Sequence, residues 1–156
     1  MTPPTLRQPI VAVCGAGSCG PELAAEAESV GIALAQAGVA LICGGLGGVM
    51  EAACRGARAA GGVTIGVLPG ADPSAANRFV QIALATNMGE ARNALIVQAA
   101  ASVIAIGGEY GTLSEIALAR KLGSRVVGLH TWELGVGHIT AAATPAEAVV
   151  LAIAQE

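Results

Sequence analysis

Short apolar runs that end in glycine, each followed by a helical pattern, recur along this chain and constrain its fold most. Ile10–Cys14 runs into Gly15, Val39–Cys43 into Gly44–Gly48, and Val103–Ile106 into Gly107–Gly111. A continuous apolar run, rather than an alternating one, marks a strand buried on both faces. Val63–Leu68, Val80–Leu84 and Arg125–Leu129 read as further strands. Between them the spacing predicts helices. The first opens at Pro21, keeps Leu23, Ala27, Val30 and Leu34 on one face, and is closed by Gly38. Others follow over Met50–Ala60, Gly89–Ala100, Thr112–Leu122 and Pro145–Gln155, the last with Thr144 as its N-cap. Strands alternating with helices imply a Rossmann-like α/β fold, an open parallel sheet between helices with right-handed crossovers. No linker or low-complexity segment divides residues 1–156, which read as a single domain.

Composition narrows the function. Charged residues make up only 12% of the chain, with a net charge of −3, and seven of the eight cations are Arg. Too few cations exist to build a basic patch, so nucleic acid is not an expected partner. Apolar residues reach 54% and aromatics only 2%, which argues against stacking of bases on aromatic platforms. The uncharged stretch from Ser29 to Met50 is long enough for a membrane span but contains Gln36 and several glycines, and reads better as helix end, turn, strand and loop. No basic region followed by a long apolar stretch opens the chain, so no secretory signal is read. Cys14, Cys19, Cys43 and Cys54 have no C-x-x-C spacing, and His130 and His138 have no ligand-like neighbours; reduced thiols, no metal site and a cytoplasmic location are expected.

In such a sheet, ligands bind beyond the carboxyl ends of the strands, where the strand order reverses. The loops Gly15–Gly20, Gly44–Gly48 and Gly107–Gly111 all fall on that edge. Glycines let backbone N–H groups approach a ligand, and the helix that follows adds a positive partial charge. An anionic ligand, most simply a phosphate, is expected, with Gly15, Gly17, Ser18, Gly44, Gly45, Gly107, Gly108, Gly111 and Thr112 as its contacts. Gly15-Ala-Gly17-Ser-Cys-Gly20 is a literal G-x-G-x-x-G, yet the end of the second strand, Leu41-Ile-Cys-Gly-Gly45, lacks the acidic residue that would hold a dinucleotide ribose. NAD chemistry is therefore not expected. No Gly-Lys-Ser/Thr phosphate loop occurs either.

The stretch Ala105-Ile-Gly-Gly-Glu-Tyr-Gly-Thr-Leu-Ser-Glu115, with Met88-Gly-Glu-Ala-Arg-Asn93 upstream, resembles the LONELY GUY family. These are cytokinin-activating phosphoribohydrolases, often mislabelled as lysine decarboxylases, with a P-G-G-x-G-T-x-x-E loop and an M-x-x-R-K segment. Ile106 stands in place of the proline and Asn93 in place of the lysine. In those respects, and in Gly48-Val-Met-Glu-Ala52, Ile65-Gly-Val-Leu-Pro-Gly70 and Glu115-Ile-Ala-Leu-Ala119, the chain looks closer to the branch that includes the molybdenum cofactor carrier proteins.

The resemblance implies two readings. In the first, the chain is a binding protein for a phosphorylated nucleotide-like ligand, an AMP-like nucleotide or the molybdenum cofactor, and needs no cofactor for catalysis. In the second, it cleaves the N-glycosidic bond of a nucleoside 5′-monophosphate, giving free base and ribose 5-phosphate, with Arg92 and Glu115 in the catalytic roles. Arg92 can hold a phosphate through two hydrogen bonds in either case. Thr112-Leu-Ser-Glu115 also fits a T-x-x-E capping box, in which Glu115 would merely bond the N–H of Thr112. The mean hydropathy of +0.67 points to apolar surface covered by other copies, a homodimer or homotetramer with Arg92 near the shared face.

Overall fold

The computed structural model describes residues 7–155. Its elements are β1 (Ile10–Gly15), α1 (Pro21–Gln36), β2 (Ala40–Cys43), α2 (Val49–Ala59), β3 (Thr64–Leu68), β4 (Ile82–Ala85), α3 (Asn93–Ala99), β5 (Ser102–Ile106), α4 (Tyr110–Lys121), β6 (Arg125–Leu129), β7 (Thr140–Ala141) and α5 (Pro145–Ile153). All strands are parallel, in the order β4-β3-β2-β1-β5-β6-β7. The order runs outward from β1 to β4 and then resumes on β1's other side at β5. The switch point therefore lies between β1 and β5.

Alternate residues of each strand serve opposite faces of the sheet. Val11, Val13, Leu41, Ile104 and Ile106 meet Val30, Leu34, Val49, Ala53 and Val149, which come from α1, α2 and α5. Ala12, Cys14, Ile42, Val103 and Ala105 meet Ile96, Val97, Ile116 and Ala119 from α3 and α4. Both faces are dry, as continuous apolar runs require.

Most boundaries match the sequence expectation, and the exceptions have local causes. The residues 79–81 are bound sideways before β4 starts, because Thr64 Oγ1 donates to the Phe79 carbonyl at 2.6 Å and accepts from Gln81 N–H at 2.9 Å. The segment expected as a helix over Gly89–Ala100 begins with a 3-10 turn at Gly89–Arg92, and α3 follows it. The helix expected over Thr112–Leu122 starts at Tyr110, and the final one ends at Ile153. The two-residue β7 is too short to leave a hydropathy pattern. Gly38, at φ +75°, closes α1 as expected, with its N–H bonded to the Ala35 carbonyl and the Val39 N–H to that of Leu34. No helix among the described residues is long and apolar enough to cross a membrane. The secretory-signal expectation rests partly on residues 1–6, which lie outside the described residues.

Helices α1 and α2 cross backbone to backbone. A Cβ on Gly31 would lie 2.0 Å from the Ala53 carbonyl oxygen, and one on Gly56 would lie 2.0 Å from that of Glu28. On the outer side, Arg55 Nε pairs with Glu28 Oε2 at 3.2 Å. Alanine normally improves a helix interior over glycine by about 0.5–1 kcal/mol. At Gly31 the sign is expected to reverse. Gly31→Ala should destabilise the fold by about 1–3 kcal/mol in urea unfolding, the usual cost of overpacking a tight contact. Gly17→Ala, whose Cβ would meet nothing within 4 Å, should change stability by less than about 0.5 kcal/mol.

Candidate functional site

A cleft of about 220 Å³ opens at the carboxyl edge of the sheet, across the switch point. Gly15, Ala16 and Gly17 form its β1 side, and Glu109, Gly111, Thr112 and Glu115 its α4 side. Leu46 and Met50 from the loop and helix after β2 line the third side, together with Glu90, Arg92 and Asn93. The sequence singled out Gly15, Gly17, Arg92, Gly111, Thr112 and Glu115 from this set. Ala16, Leu46, Met50, Glu90, Asn93 and Glu109 were not among its expected contacts, although Met50, Glu90, Asn93 and Glu109 stand inside the motifs that carry the resemblance.

Arg92 is buried, with only 6% of its surface exposed. Its Nε donates to the Val67 carbonyl at 2.9 Å, and its Nη1 donates to Asn93 Oδ1. Glu90 Oε2 lies 3.9 Å from Nη1, on an otherwise exposed side chain. Nη2 makes no hydrogen bond among the described residues, and it packs where Gly44 lacks a side chain: a Cβ there would sit 2.8 Å from it. The guanidinium is thus held from two sides and keeps a free donor beside the cleft. Asn93, the departure from the family's lysine, supplies one of the holding acceptors.

Glu115 is also buried, at 9% exposure. Burial pushes its carboxyl up to about 7; the Arg92 charge opposes this and the Glu90 charge adds to it. The capping-box reading does not hold. Helix α4 begins at Tyr110 with Glu109 at its N-cap, so Thr112 is already inside the first turn and no side chain caps the end. Nor does Glu115 bond Thr112. Glu115 therefore lines the cleft rather than capping the helix terminus.

The helix end itself supplies donors. The first backbone bond of α4 runs from Leu113 N–H to the Glu109 carbonyl. The N–H groups of Tyr110, Gly111 and Thr112 thus have no intrahelical acceptor, and the helix dipole adds positive potential there.

The other glycines expected as contacts stand behind the cleft. Gly44 and Gly45 are buried; Gly44 makes room for Arg92, and the Gly45 N–H turns inward to Cys43 Sγ at 3.3 Å. Gly107 spends its N–H on the Leu129 carbonyl, extending the sheet, at φ +55°. Gly108, at φ +110°, lies against the Thr112 side chain. Ser18 is exposed and outside the cleft lining. Turn geometry and close packing give the four glycines a structural role of their own.

The model of the SLOG cluster4 family matches residues 8–155. Among solved structures, the molybdenum cofactor binding protein from the phototrophic bacterium Rippkaea orientalis superposes with a TM-score of 0.89 at 35% identity, covering 94% of this chain and 96% of that one. The molybdenum cofactor carrier protein of Chlamydomonas reinhardtii superposes with a TM-score of 0.84 at 34% identity, covering 92% and 96%. An uncharacterized protein of Archaeoglobus fulgidus is 47% identical over 119 residues, which are 76% of this chain and 78% of that protein.

The Glu115 carboxyl gives a test of the site. A carboxyl raised on folding from about 4.5 to about 7 takes up a proton when the chain folds. Stability from this group is therefore lost as pH rises from about 4.5 to 7, and the loss is complete above that. Relative to Glu115→Gln, the native chain should lose roughly 3 kcal/mol between pH 4 and pH 8 in urea unfolding.

Proposed function

The chain belongs to the SLOG cluster4 family, within the wider group that includes the molybdenum cofactor carriers and LONELY GUY-like folds, and we propose that it is a cytoplasmic binding protein for a phosphorylated, nucleotide-like ligand. The molybdenum cofactor is the candidate cargo. One observation carries this reading: the braced Arg92 and the open N-terminus of α4 face one cleft at the switch point. Together they offer a phosphate the charged guanidinium with its free Nη2 donor and unpaired backbone donors. The structural similarity to a cofactor binding protein and a cofactor carrier supports the choice of cargo.

The electrostatics suit a ligand richer in donors than a bare phosphate. Glu90, Glu109 and Glu115 line the cleft against a single Arg92. Burial raises the Glu115 carboxyl to about 7, which eases repulsion of an anion and favours the protonated form that can donate a hydrogen bond. The exposed carboxylates of Glu90 and Glu109 are acceptors for ring N–H or hydroxyl groups of the same ligand.

A second reading keeps one specific observation. A buried carboxyl titrating near 7 beside an arginine is suited to protonate a leaving base or activate water. That is the chemistry of a phosphoribohydrolase acting on a nucleoside 5′-monophosphate, with Arg92 and Glu115 as its catalytic pair. Asn93, bonded to Arg92 in place of the family's lysine, favours binding over hydrolysis.

We also propose a homodimer or homotetramer. Ile82 and Leu84 on edge strand β4, Met88 beyond it and Leu95 on α3 are 43–49% exposed, and Arg92 lies between Met88 and Leu95 in the chain. An unpaired edge strand with apolar side chains is a surface that other copies cover. Light scattering should show an oligomer, and Leu84→Glu with Leu95→Glu should shift it to the monomer.

Calorimetry with AMP and with a pterin monophosphate tests the binding reading. Arg92→Lys, which keeps the charge but loses the planar guanidinium held by Val67 and Asn93, should weaken both by about 1.5–3 kcal/mol. Unchanged affinity would remove the phosphate from Arg92. Release of ribose 5-phosphate from AMP, abolished in Glu115→Gln, would establish the hydrolase instead.

A further inference from the structure

We propose that Tyr110 and Trp132 form a stacking site for the planar ring of the ligand. This inference rests on the phosphate-binding reading above and assigns the other end of the same molecule. The chain has one Tyr, one Trp and one Phe. Although aromatics are scarce in the chain as a whole, two of these three meet next to the cleft: Tyr110 stands between Glu109 and Gly111, both of which line it, and Trp132 comes from a segment distant in sequence. Their ring centroids are 5.7 Å apart and tilted by 38°.

Both rings are tied to the loop that lines the site. Trp132 Nε1 donates to the Glu109 carbonyl at 3.1 Å, and the neighbouring Thr131 Oγ1 donates to the Gly107 carbonyl at 2.6 Å. Trp132 also rests with Ile139 against the α3–α4 face of the core. It is therefore a fixed support. Tyr110, the first residue of α4, leans on it and is 80% exposed. An indole held by a hydrogen bond and a tyrosine with few torsions lose little freedom when a ring settles on them.

Trp132 also borders a space large enough for a ring. A hollow of about 530 Å³ is lined by Trp132, His130, Leu134, Val136 and Ile139. Val136 is fully exposed and Leu134 is 38% exposed, so its rim is apolar. Glu109 links the two spaces: its backbone carbonyl holds Trp132, and the residue lines the cleft containing Arg92. Tyr110 lies in the chain between Glu109 and Gly111, both lining the cleft, which puts it next to a ligand whose phosphate sits at Arg92 and α4. The chemistry that fits is a flat, fused nitrogen heterocycle carried on a phosphorylated chain or sugar. Purine and pterin share it, and both have π-faces to stack.

Trp132 is the only tryptophan, so its fluorescence reports this site alone. AMP and a pterin monophosphate should change its emission, whereas ribose 5-phosphate should bind without doing so. In Tyr110→Ala the affinity for the ring-bearing probes should fall about 5- to 150-fold, the range of a lost base–aromatic stack. Affinity for ribose 5-phosphate should stay the same, and Tyr110→Phe should restore ring binding. A larger loss for the pterin than for AMP would assign the ring as a pterin, and the reverse as a purine. If Tyr110→Ala and the native chain bind both ring probes equally while Arg92→Lys weakens them, the stacking site is overturned and the phosphate site stands. If none of the three probes binds, both fall together.

Discussion

A buried guanidinium must find acceptors, and the candidate site is arranged around how Arg92 finds them. The Val67 carbonyl at the end of β3 and the Asn93 side chain at the start of α3 supply two. Gly44 supplies the space, since any side chain there would strike Nη2. An isolated buried charge would be expensive, and a partly satisfied one is directed. Nη2 is left without an acceptor among the described residues, on a side chain that lines the cleft. Arg92 ends the 3-10 turn at Gly89–Arg92 and is the buried residue of that turn.

The same low-dielectric setting governs Glu115. Its carboxyl is raised because burial penalises the ionised form more than Arg92 rewards it. The sequence pattern T-x-x-E suggested a cap, which would have placed the carboxylate at a solvent-facing helix end. With α4 starting at Tyr110, Glu115 falls in the second turn rather than at the helix end, and its burial there raises its carboxyl to about 7. An anion in this cleft meets one cation, a helix terminus and three carboxyls. Selectivity for ligands that bring their own donors follows from that balance.

Much of the fold could be read directly. Runs such as Ile10–Cys14 and Val103–Ile106 are apolar at every position, and only a strand covered on both faces tolerates that. Gly38 and Gly123 both have positive φ at the ends of helices, where a residue without Cβ is needed. β4 and the Gly89–Ala100 segment were read less well. Their boundaries depend on the Thr64 hydroxyl and on the depth of Arg92, which are contacts made across the chain. The glycine loops were recognised as a group, but glycine spacing cannot separate residues that face a ligand from those that let the backbone turn. Gly17 and Gly111 line the cleft, whereas Gly44, Gly45, Gly107 and Gly108 serve packing and conformation.

Periodicity and punctuation by themselves determined the α/β class, the parallel sheet and the edge on which the loops gather, because these follow from local hydropathy and backbone freedom. Strand order decided the rest. Only when β5 lies beside β1 does the α4 terminus come next to Gly15 and Gly17. Only when β3 reaches Arg92 is that side chain buried and aimed. Trp132, in a stretch with no readable pattern, meets Tyr110 through the return of the chain after β6. Each of these contacts joins residues distant in sequence. Their geometry arises from packing, which no local pattern encodes.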